Sequence, residues 1–215
     1  HFYAQKAKAY WERTGLSRFD VYAEMSDFDI QLKKPEYSAD SVLFYNKTLL
    51  EEPVLGVFTD RITQVARLED SKYPKFITYQ SAYRLDEIYP GIDYRGAIAM
   101  QGPNLVGAAA DGNKASLDFF YEDTIRMRFH SDVFIFSADR ISTNKTEVSI
   151  YIENDSLYHP FVILNYNINN EQVRLIRSDD YSSQGPYSDS YHKIDLIFDE
   201  LYWSRTEPLV KMQAM

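Results

Sequence analysis

The amino-acid sequence predicts an all-β protein, mainly an antiparallel sandwich or an elongated β-roll, with one N-terminal α-helix. Aromatic residues make up 15% of the chain and are dominated by 18 Tyr and 13 Phe, which suit a pleated, half-buried surface. The second half carries seven short β-rich runs separated by clusters of turn residues. Two links, Glu122-Asp123 and Asn169-Asn170, have the pattern of two-residue hairpin turns. Hairpins favour antiparallel pairing over the alternative architecture, a parallel β-solenoid.

The N-terminal segment has the spacing of an amphipathic helix. Tyr3, Ala7, Tyr10 and Trp11 recur at helical intervals, and Gly15 follows as a suitable left-handed cap. The period then changes to two, with apolar residues alternating from Phe19 onwards and slipping phase near residue 26. We therefore expect one helix, followed by a long strand over 19–32 with a bulge near Ser26.

The middle of the chain predicts strands at 41–46 and 75–79 and an ambiguous strand or short helix within 51–68. The stretch 70–93 contains the turn signals Tyr73-Pro74, Tyr89-Pro90 and Gly91, so we expect a mostly irregular connection there and place a possible internal boundary in it. Otherwise residues 1–215 are expected to form a single β-rich domain or a segment of a longer chain, and the start at His1 suggests an excised piece.

The seven β-rich runs of the second half are expected to be buried on one face only. In the run 146–152, Val148, Ile150 and Ile152 alternate with Glu147, Ser149 and Tyr151, so one face is apolar and the other is wet. The glycines within 95–107 are expected to allow close strand packing or bulges. The runs are 115–121, 124–130, 132–137, 146–152, 161–168, 172–177 and 193–203.

Composition excludes several classes of function. The net charge of -9 would repel a phosphate backbone, so no nucleic-acid partner is expected. The chain has no Cys, and therefore no disulfide, thiol nucleophile or thiolate metal site. It also has no run of about 18 apolar residues, so we expect no transmembrane segment. No cofactor is predicted.

Three stretches carry a family resemblance: YRGAIAMQGPNLVG at 94–107, ENDSLYHP at 153–160 and SYHKIDLIFDELYW at 190–203. They resemble segments, in the same order, of large uncharacterised exported proteins of Bacteroidota that are expected to be β-rich. The resemblance covers the second half of the chain best. It implies a periplasmic or cell-surface location and contact with flanking segments of a longer parent protein, and it implies no catalytic residues.

Two short stretches, 154–160 and 188–195, form a candidate site, because in each an Asp-Ser pair precedes a Tyr-His pair. A neighbouring carboxylate such as Asp155 or Asp195 could orient the two histidines, His159 and His192, for acid-base chemistry. A Ser-His-Asp arrangement would add Ser156 or Ser190, but no nucleophile elbow is present, and turn-forming scaffold explains both stretches without catalysis. The sequence predicts no catalytic residue and assigns a binding role to Tyr158, His159, Tyr187, Tyr191, His192, Tyr202 and Trp203.

Acidic and aromatic residues at the C-terminal end leave an enzymatic alternative open, since glycoside hydrolysis needs two carboxylates beside a sugar. The candidates are Asp179, Asp180, Asp189, Asp199 and Glu200. The loop 178–190 is rich in oxygen donors but lacks the spacing of a calcium loop, so no metal site is predicted. We favour a non-catalytic cell-envelope module that is structural or binds a glycan, a lipid-like ligand or neighbouring β-segments. A polysaccharide or another envelope component is the expected partner.

Overall fold

The computed structural model describes residues 2–30, 33–61, 67–68, 71–110, 112–177 and 185–214. The chain forms two compact units, the first from His1–Tyr83 with Ala97–Val106 and the second from Arg84–Gly96 with Gly107–Met215. The first change between the units falls at Tyr83, inside the stretch 70–93. The return of 97–106 to the first unit was not predicted.

The first unit is built on an antiparallel sheet in which β1 to β5 lie side by side in the order of the sequence. The strands pair in the order β1, β2, β3, β4, β5 and then the second half of β7. Their bounds are β1 (Phe2–Tyr10), β2 (Val21–Ile30), β3 (Glu36–Asn46), β4 (Val54–Arg61), β5 (Lys75–Thr78) and β7 (Ile92–Gln101). The predicted strands at 41–46 and 75–79 are therefore present. The ambiguous segment begins as a strand, and residues 62–66 lie outside the described part of the chain.

The predicted N-terminal helix is wrong. Residues 2–10 form β1, which pairs with β2 so that Tyr10 lies opposite Tyr22, and only a single 3-10 turn, Glu12–Thr14, follows. Gly15 ends that turn with a left-handed φ of 86°, as expected of a cap. Residues 6–10 alternate between polar and apolar side chains as a strand does, whereas Tyr3, Ala7 and Tyr10 have the spacing of a helix. Hydrogen bonding to β2 selects the strand. The predicted bulge near Ser26 is not found, because the β1–β2 register continues without a shift, although Asp27 has a left-handed φ of 50°.

An aromatic cluster fills the core of the first unit. The Trp11 ring meets Phe44 and Phe58 edge-on, with centroids 5.1 and 5.6 Å apart, and Phe44 stacks on Phe76 at 4.6 Å. The Trp11 indole N–H donates to the Pro74 carbonyl at 3.2 Å, which satisfies its one polar atom. Trp11, predicted to lie on the aromatic stripe of a helix, is thus the centre of a β core.

The second unit is a longer antiparallel arrangement. The strands pair in the order first half of β7, β9, β10, β12 and β13. The order then divides at β13. The C-terminal half of β13 pairs with β14, which is followed by β17 and β18, and the N-terminal end of β13 pairs with β15, which is followed by β16. The strands are β6 (Tyr83–Tyr89), β8 (Asn104–Ala108), β9 (Ala115–Tyr121), β10 (Thr124–Ser131), β11 (Val133–Phe136), β12 (Arg140–Ile152), β13 (Asp155–Asn167), β14 (Gln172–Arg177), β15 (Tyr187–Asp189), β16 (Ile194–Leu196), β17 (Glu200–Ser204) and β18 (Val210–Gln213).

The seven predicted runs all contain strands, and the last of them, 193–203, divides into β16 and β17. The stretch 70–93, expected to be mostly irregular, instead contains β5, β6 and the start of β7. Every pairing with a described register is antiparallel, so the all-β antiparallel prediction is confirmed and the parallel solenoid is wrong.

The two predicted hairpin turns differ in outcome. Glu122-Asp123 forms the expected two-residue turn, because Tyr121 pairs directly with Thr124. The other link is longer than predicted: Asn167 pairs with Gln172, which leaves four residues in the connection. The Asn167 side chain accepts the N–H groups of both Asn169 and Asn170, at 3.0 and 3.2 Å, and these bonds shape the wider turn.

Alternation in β12 separates a buried face from a polar one as predicted. Val148 and Ile150 are buried, whereas Glu147, Ser149 and Tyr151 keep partial exposure. Ile152, at the end of the strand, is exposed instead of buried.

Edge-on aromatic contacts hold the core of the second unit together. Phe119 meets Phe129 and Tyr166 at 5.4 and 4.9 Å, and Tyr94 meets Phe136 at 5.4 Å. The ring of Tyr94 leaves no room beside Gly107, where an added Cβ would lie 2.6 Å from ring atoms, so this glycine allows the close packing expected of it.

No helix in the described part of the chain has both the length and the apolar character required to cross a membrane.

Candidate polar face of the second unit

A continuous row of polar side chains crosses seven strands of the second unit. Direct cross-strand partners on one face of the sheet lie in line, so the registers of β7, β9, β10, β12, β13, β15 and β16 define the row. We call it the polar row, and its members are Asp93, Asp118, Arg128, Ser149, Tyr158, Ser188 and Asp195. Residues one step away along the strands, among them Phe119, Met127, Ile150 and Leu157, are buried on the opposite face.

One ion pair fixes the central part of the polar row. Arg128 donates from Nε and Nη2 to the two carboxylate oxygens of Asp118, at 2.7 and 2.8 Å. Asp118 is almost fully buried beneath the guanidinium. This bidentate pairing raises the pKa of Arg128 and holds both side chains in place. At one end of the row the Ser188 hydroxyl donates to Asp195 at 3.2 Å.

Tyr158 is the one aromatic member of the polar row and is 40% exposed. Ser149 and Ser188 flank it on the neighbouring strands. Nearby on the same face, the side chains of Lys114 and Glu147 form an ion pair. An accessible ring between hydroxyl and charged groups can stack on the apolar face of a sugar while those groups bond to its hydroxyls.

The two Asp-Ser stretches lie side by side. Leu157 and Tyr158 pair with Asp189 and Ser188, so the second stretch forms a short strand along the first. The Ser190 hydroxyl accepts the Ser156 N–H at 2.8 Å, and the Ser190 N–H donates to the Ser156 carbonyl at 3.0 Å. Ser190 also donates to Asp155 at 3.3 Å. Ser190 through its hydroxyl and Ser156 through its backbone therefore hold the strands together, as the scaffold interpretation expects.

His159 is completely buried and points to the other side of the sheet from Tyr158. Its Nδ1 accepts the Phe161 N–H at 3.0 Å, so the proton lies on Nε2, which donates to the Gly185 carbonyl at 2.9 Å. The pKa of His159 is lowered, first because burial disfavours the charged ring, and the nearby Arg177 charge adds to the effect. Both nitrogens of this neutral imidazole are hydrogen-bonded to the backbone, so the His159 side chain has a structural role.

Tyr187 lies against His159 in the core. The two rings are 4.5 Å apart, and Tyr187 stacks on Phe198 at 4.2 Å. Burial raises the pKa of the Tyr187 hydroxyl, which has no hydrogen-bond partner among the described residues. The side chains of His159 and Tyr187, both predicted to bind a ligand, are enclosed and do not reach the surface in this structure.

His192 and Tyr191 occupy the turn between β15 and β16, and both are exposed. Asp189 shapes this turn: its carboxylate accepts the backbone N–H of Tyr191 at 2.8 Å and lies 2.9 Å from Nδ1 of His192. The bond from His192 is the main reason that the pKa of Asp189 is lowered. The predicted pair of histidines is thus divided, since His159 is in the core and His192 is in solvent.

The other two predicted binding residues lie on opposite faces of β17. Tyr202 is half-buried, and its hydroxyl donates a hydrogen bond to the Glu200 carboxylate. The same carboxylate accepts a hydrogen bond from Nε of Arg174 at 3.0 Å. Trp203 is buried and donates to the Glu207 carbonyl at 2.8 Å, so it is a packing residue in this structure.

Three of the candidate carboxylates, those of Asp189, Asp199 and Glu200, accept hydrogen bonds from nitrogen donors. The bond from Arg174 lowers the pKa of Glu200, and Asp199 pairs with Arg177 at 2.8 Å. A general acid for glycoside hydrolysis requires a raised pKa, whereas the pKa of Asp189 and that of Glu200 are both lowered. Asp179 and Asp180 lie outside the described residues. Within the described ranges no three His, Asp or Glu side chains form a group suited to a metal ion.

Sequence reasoning missed most of the polar row. It singled out Tyr158 but not Arg128, Asp118 or Ser149, because their alignment depends on which residues face each other across strands. Strand alternation marks these positions as outward-facing, but only the register places them in one line.

Comparison with protein-family models, with curated proteins and with solved structures gives no match to this chain.

Proposed function

We propose that this chain is a non-catalytic binding module whose polar row binds a polysaccharide. The observation that carries the proposal is the unbroken polar row with an exposed tyrosine, Tyr158, as the fifth of its seven members. Adjacent strands lie about 4.8 Å apart, so the six steps of the row span about 29 Å, enough for several sugar units of an extended polymer.

The charges of the row favour a neutral polysaccharide. Asp93 and Asp195 lie near its two ends, and the Arg128 charge is already matched by Asp118. The whole chain also carries a net charge of -9. An acidic polymer would meet repulsion from the row and from the rest of the molecule, whereas neutral hydroxyls can bond to carboxylates, serines and the guanidinium alike.

The hydrogen bonds to two of the candidate carboxylates support binding without cleavage. Asp189 and Glu200 accept bonds from a ring or guanidinium N–H group, and these bonds lower the pKa of each carboxyl group. The proposal also includes a periplasmic or cell-surface location and flanking segments of a longer parent protein, which rest on the resemblance of 94–107, 153–160 and 190–203 alone.

The test is a survey of neutral and acidic polysaccharides by affinity electrophoresis, with reducing ends assayed in parallel. We expect retardation by at least one neutral polymer and no release of reducing ends. Tyr158→Ala should weaken that retardation about tenfold, because the ring supplies the main stacking surface.

Tyr3→Ala is the matched control, since Tyr3 is an exposed tyrosine in the first unit. It should leave retardation unchanged. Binding confined to acidic polymers, or equal losses in the two variants, would contradict the proposed site. Release of reducing ends by the purified protein would replace the binding function with an enzymatic one.

A further inference from the structure

The outer face of the first unit carries a strip of apolar side chains that its core does not use. Leu43 lies opposite Leu55, and Val57 lies opposite Ile77 on the next strand. Tyr79 joins them, since its N–H donates to the Leu55 carbonyl at 3.1 Å. Leu43, Leu55, Ile77 and Tyr79 are 38–49% exposed, although Phe44, Phe58 and Phe76 on the other face are fully buried.

Tyrosines extend this strip across the remaining strands. Tyr10 lies opposite Tyr22, and Tyr22 stacks on Tyr45 with ring centroids 4.5 Å apart and planes within 12°. The three rings form a row beside Leu43. We call the apolar strip and the tyrosine row together the outer apolar face. Adjoining aliphatic and tyrosine side chains resemble the composition of protein surfaces that enter the boundary between lipid headgroups and acyl chains.

Cations rim the outer apolar face. The Nζ atoms of Lys8 and Lys47 lie 4.9 and 5.6 Å from the centre of the Tyr22 ring, and the Arg18 guanidinium lies 4.4 Å from that of Tyr10. On the opposite side, Lys75 projects from β5 on the same face as Ile77.

Acidic groups share this surface and are already bonded. Glu24 pairs with Lys8 at 2.7 Å, Glu12 lies 3.8 Å from Arg18, and Asp40 accepts a hydrogen bond from Tyr79. These three carboxylates stand against the four cations of the rim, so the named groups leave one net positive charge on a chain whose net charge is -9. A positive rim around apolar side chains complements a surface that is apolar inside and negative at its headgroups.

We propose that the outer apolar face docks on a bilayer surface that contains anionic phospholipid. The tyrosines and aliphatic side chains enter the headgroup boundary, and Lys47, Lys75 and Arg18 meet the phosphates. This inference concerns the first unit alone and does not depend on polysaccharide binding by the second.

Co-sedimentation of the full chain with vesicles tests the proposal. The vesicles contain phosphatidylcholine alone or phosphatidylcholine mixed with phosphatidylglycerol. We expect sedimentation with the mixed vesicles, weaker sedimentation at high salt, and little with phosphatidylcholine alone. The double variant Leu55→Ser with Ile77→Ser should lower the partition coefficient about tenfold, because two apolar side chains no longer enter the lipid.

Each variant has a matched control in the second unit. Ile135→Ser changes a similarly exposed strand residue and should leave sedimentation unchanged. Lys47→Ala should weaken binding to mixed vesicles about fivefold, the effect of one cation near an anionic surface, whereas Lys211→Ala should not. The lysine variants keep the test valid if the double variant fails to fold, which circular dichroism reports.

Three results would overturn the proposal: equal sedimentation with both kinds of vesicle, no sedimentation with either, or equal losses in the variants and their controls. Dimerisation in sedimentation velocity that Leu55→Ser abolishes, without vesicle binding, would assign the face to a second copy of the chain. Tyr158→Ala should leave vesicle binding unchanged, so failure of this proposal is distinguishable from failure of polysaccharide binding.

Discussion

Single residues of the same type perform different tasks in this chain, and burial decides which. His159 has no exposed surface, holds two hydrogen bonds and packs on Tyr187, whereas His192 is exposed and bonds to Asp189. The sequence placed both histidines after similar Asp-Ser pairs and predicted similar scaffold roles. The surroundings of His159 are supplied by residues far away in sequence, chiefly Gly185 and Tyr187.

Replacement of His159 by Gln should lower the free energy of unfolding by about 2–3 kcal/mol, because it removes ring packing and disturbs two buried hydrogen bonds. Sequence reasoning alone expects only about 1 kcal/mol, the scale of one hydrogen bond. His192→Gln is the control and should change stability by less than about 0.5 kcal/mol. Urea unfolding followed by circular dichroism measures both, and equal effects would contradict the assigned burial.

At the scale of elements, pairing overrides local preference. Residues 2–10 satisfy a helical spacing and a strand alternation at once, and the neighbouring strand β2 decides for the strand. The positions of turns depend more on the local sequence, but a turn position is not always occupied by the residue that best tolerates its backbone conformation. Glu122 has a left-handed φ of 52° in the hairpin between β9 and β10, a conformation that disfavours side chains with a Cβ.

Glu122→Gly should therefore stabilise the protein by about 0.5–1 kcal/mol, since it relieves the left-handed strain at a modest cost in chain entropy. Asp123→Gly is the matched control in the same turn, because Asp123 is not among the residues with positive φ. It should be neutral or destabilising. The melting temperatures of the two variants check this, and a lower value for Glu122→Gly than for Asp123→Gly would count against the turn geometry described here.

At the scale of the whole molecule, the chain passes between its two units three times, at residues 83–84, 96–97 and 106–107. The second unit therefore includes the first half of β7, which lies ahead of its other strands in sequence and pairs with β9. Ile92 and Tyr94 on that half-strand are fully buried, so the longest continuous part of the second unit does not contain its complete core.

A fragment of residues 107–215 should be less stable than a fragment of residues 84–215 by at least about 3 kcal/mol, because it lacks the buried Tyr94 and Ile92 side chains. Urea unfolding of the two fragments gives the comparison. Equal stability would mean that β9 does not need the first half of β7 as a partner.

The sequence by itself determined the class of fold, the position of most strands and the alternation of buried and exposed residues. These properties depend on local spacing: Val148 and Ile150 alternate with polar residues wherever β12 lies, and Glu122-Asp123 can close a hairpin without distant help. It also named Tyr158 among the candidate binding residues.

Only the tertiary structure decided which strands are neighbours and in what register. The polar row, the burial of His159 and Trp203 and the strand at 2–10 all depend on partners that are distant in sequence, such as Ser188 for Tyr158 and Gly185 for His159. Residue spacing reports which face a side chain occupies but not what stands opposite it. The free energy that selects the opposite strand comes from packing and hydrogen bonding across the sheet.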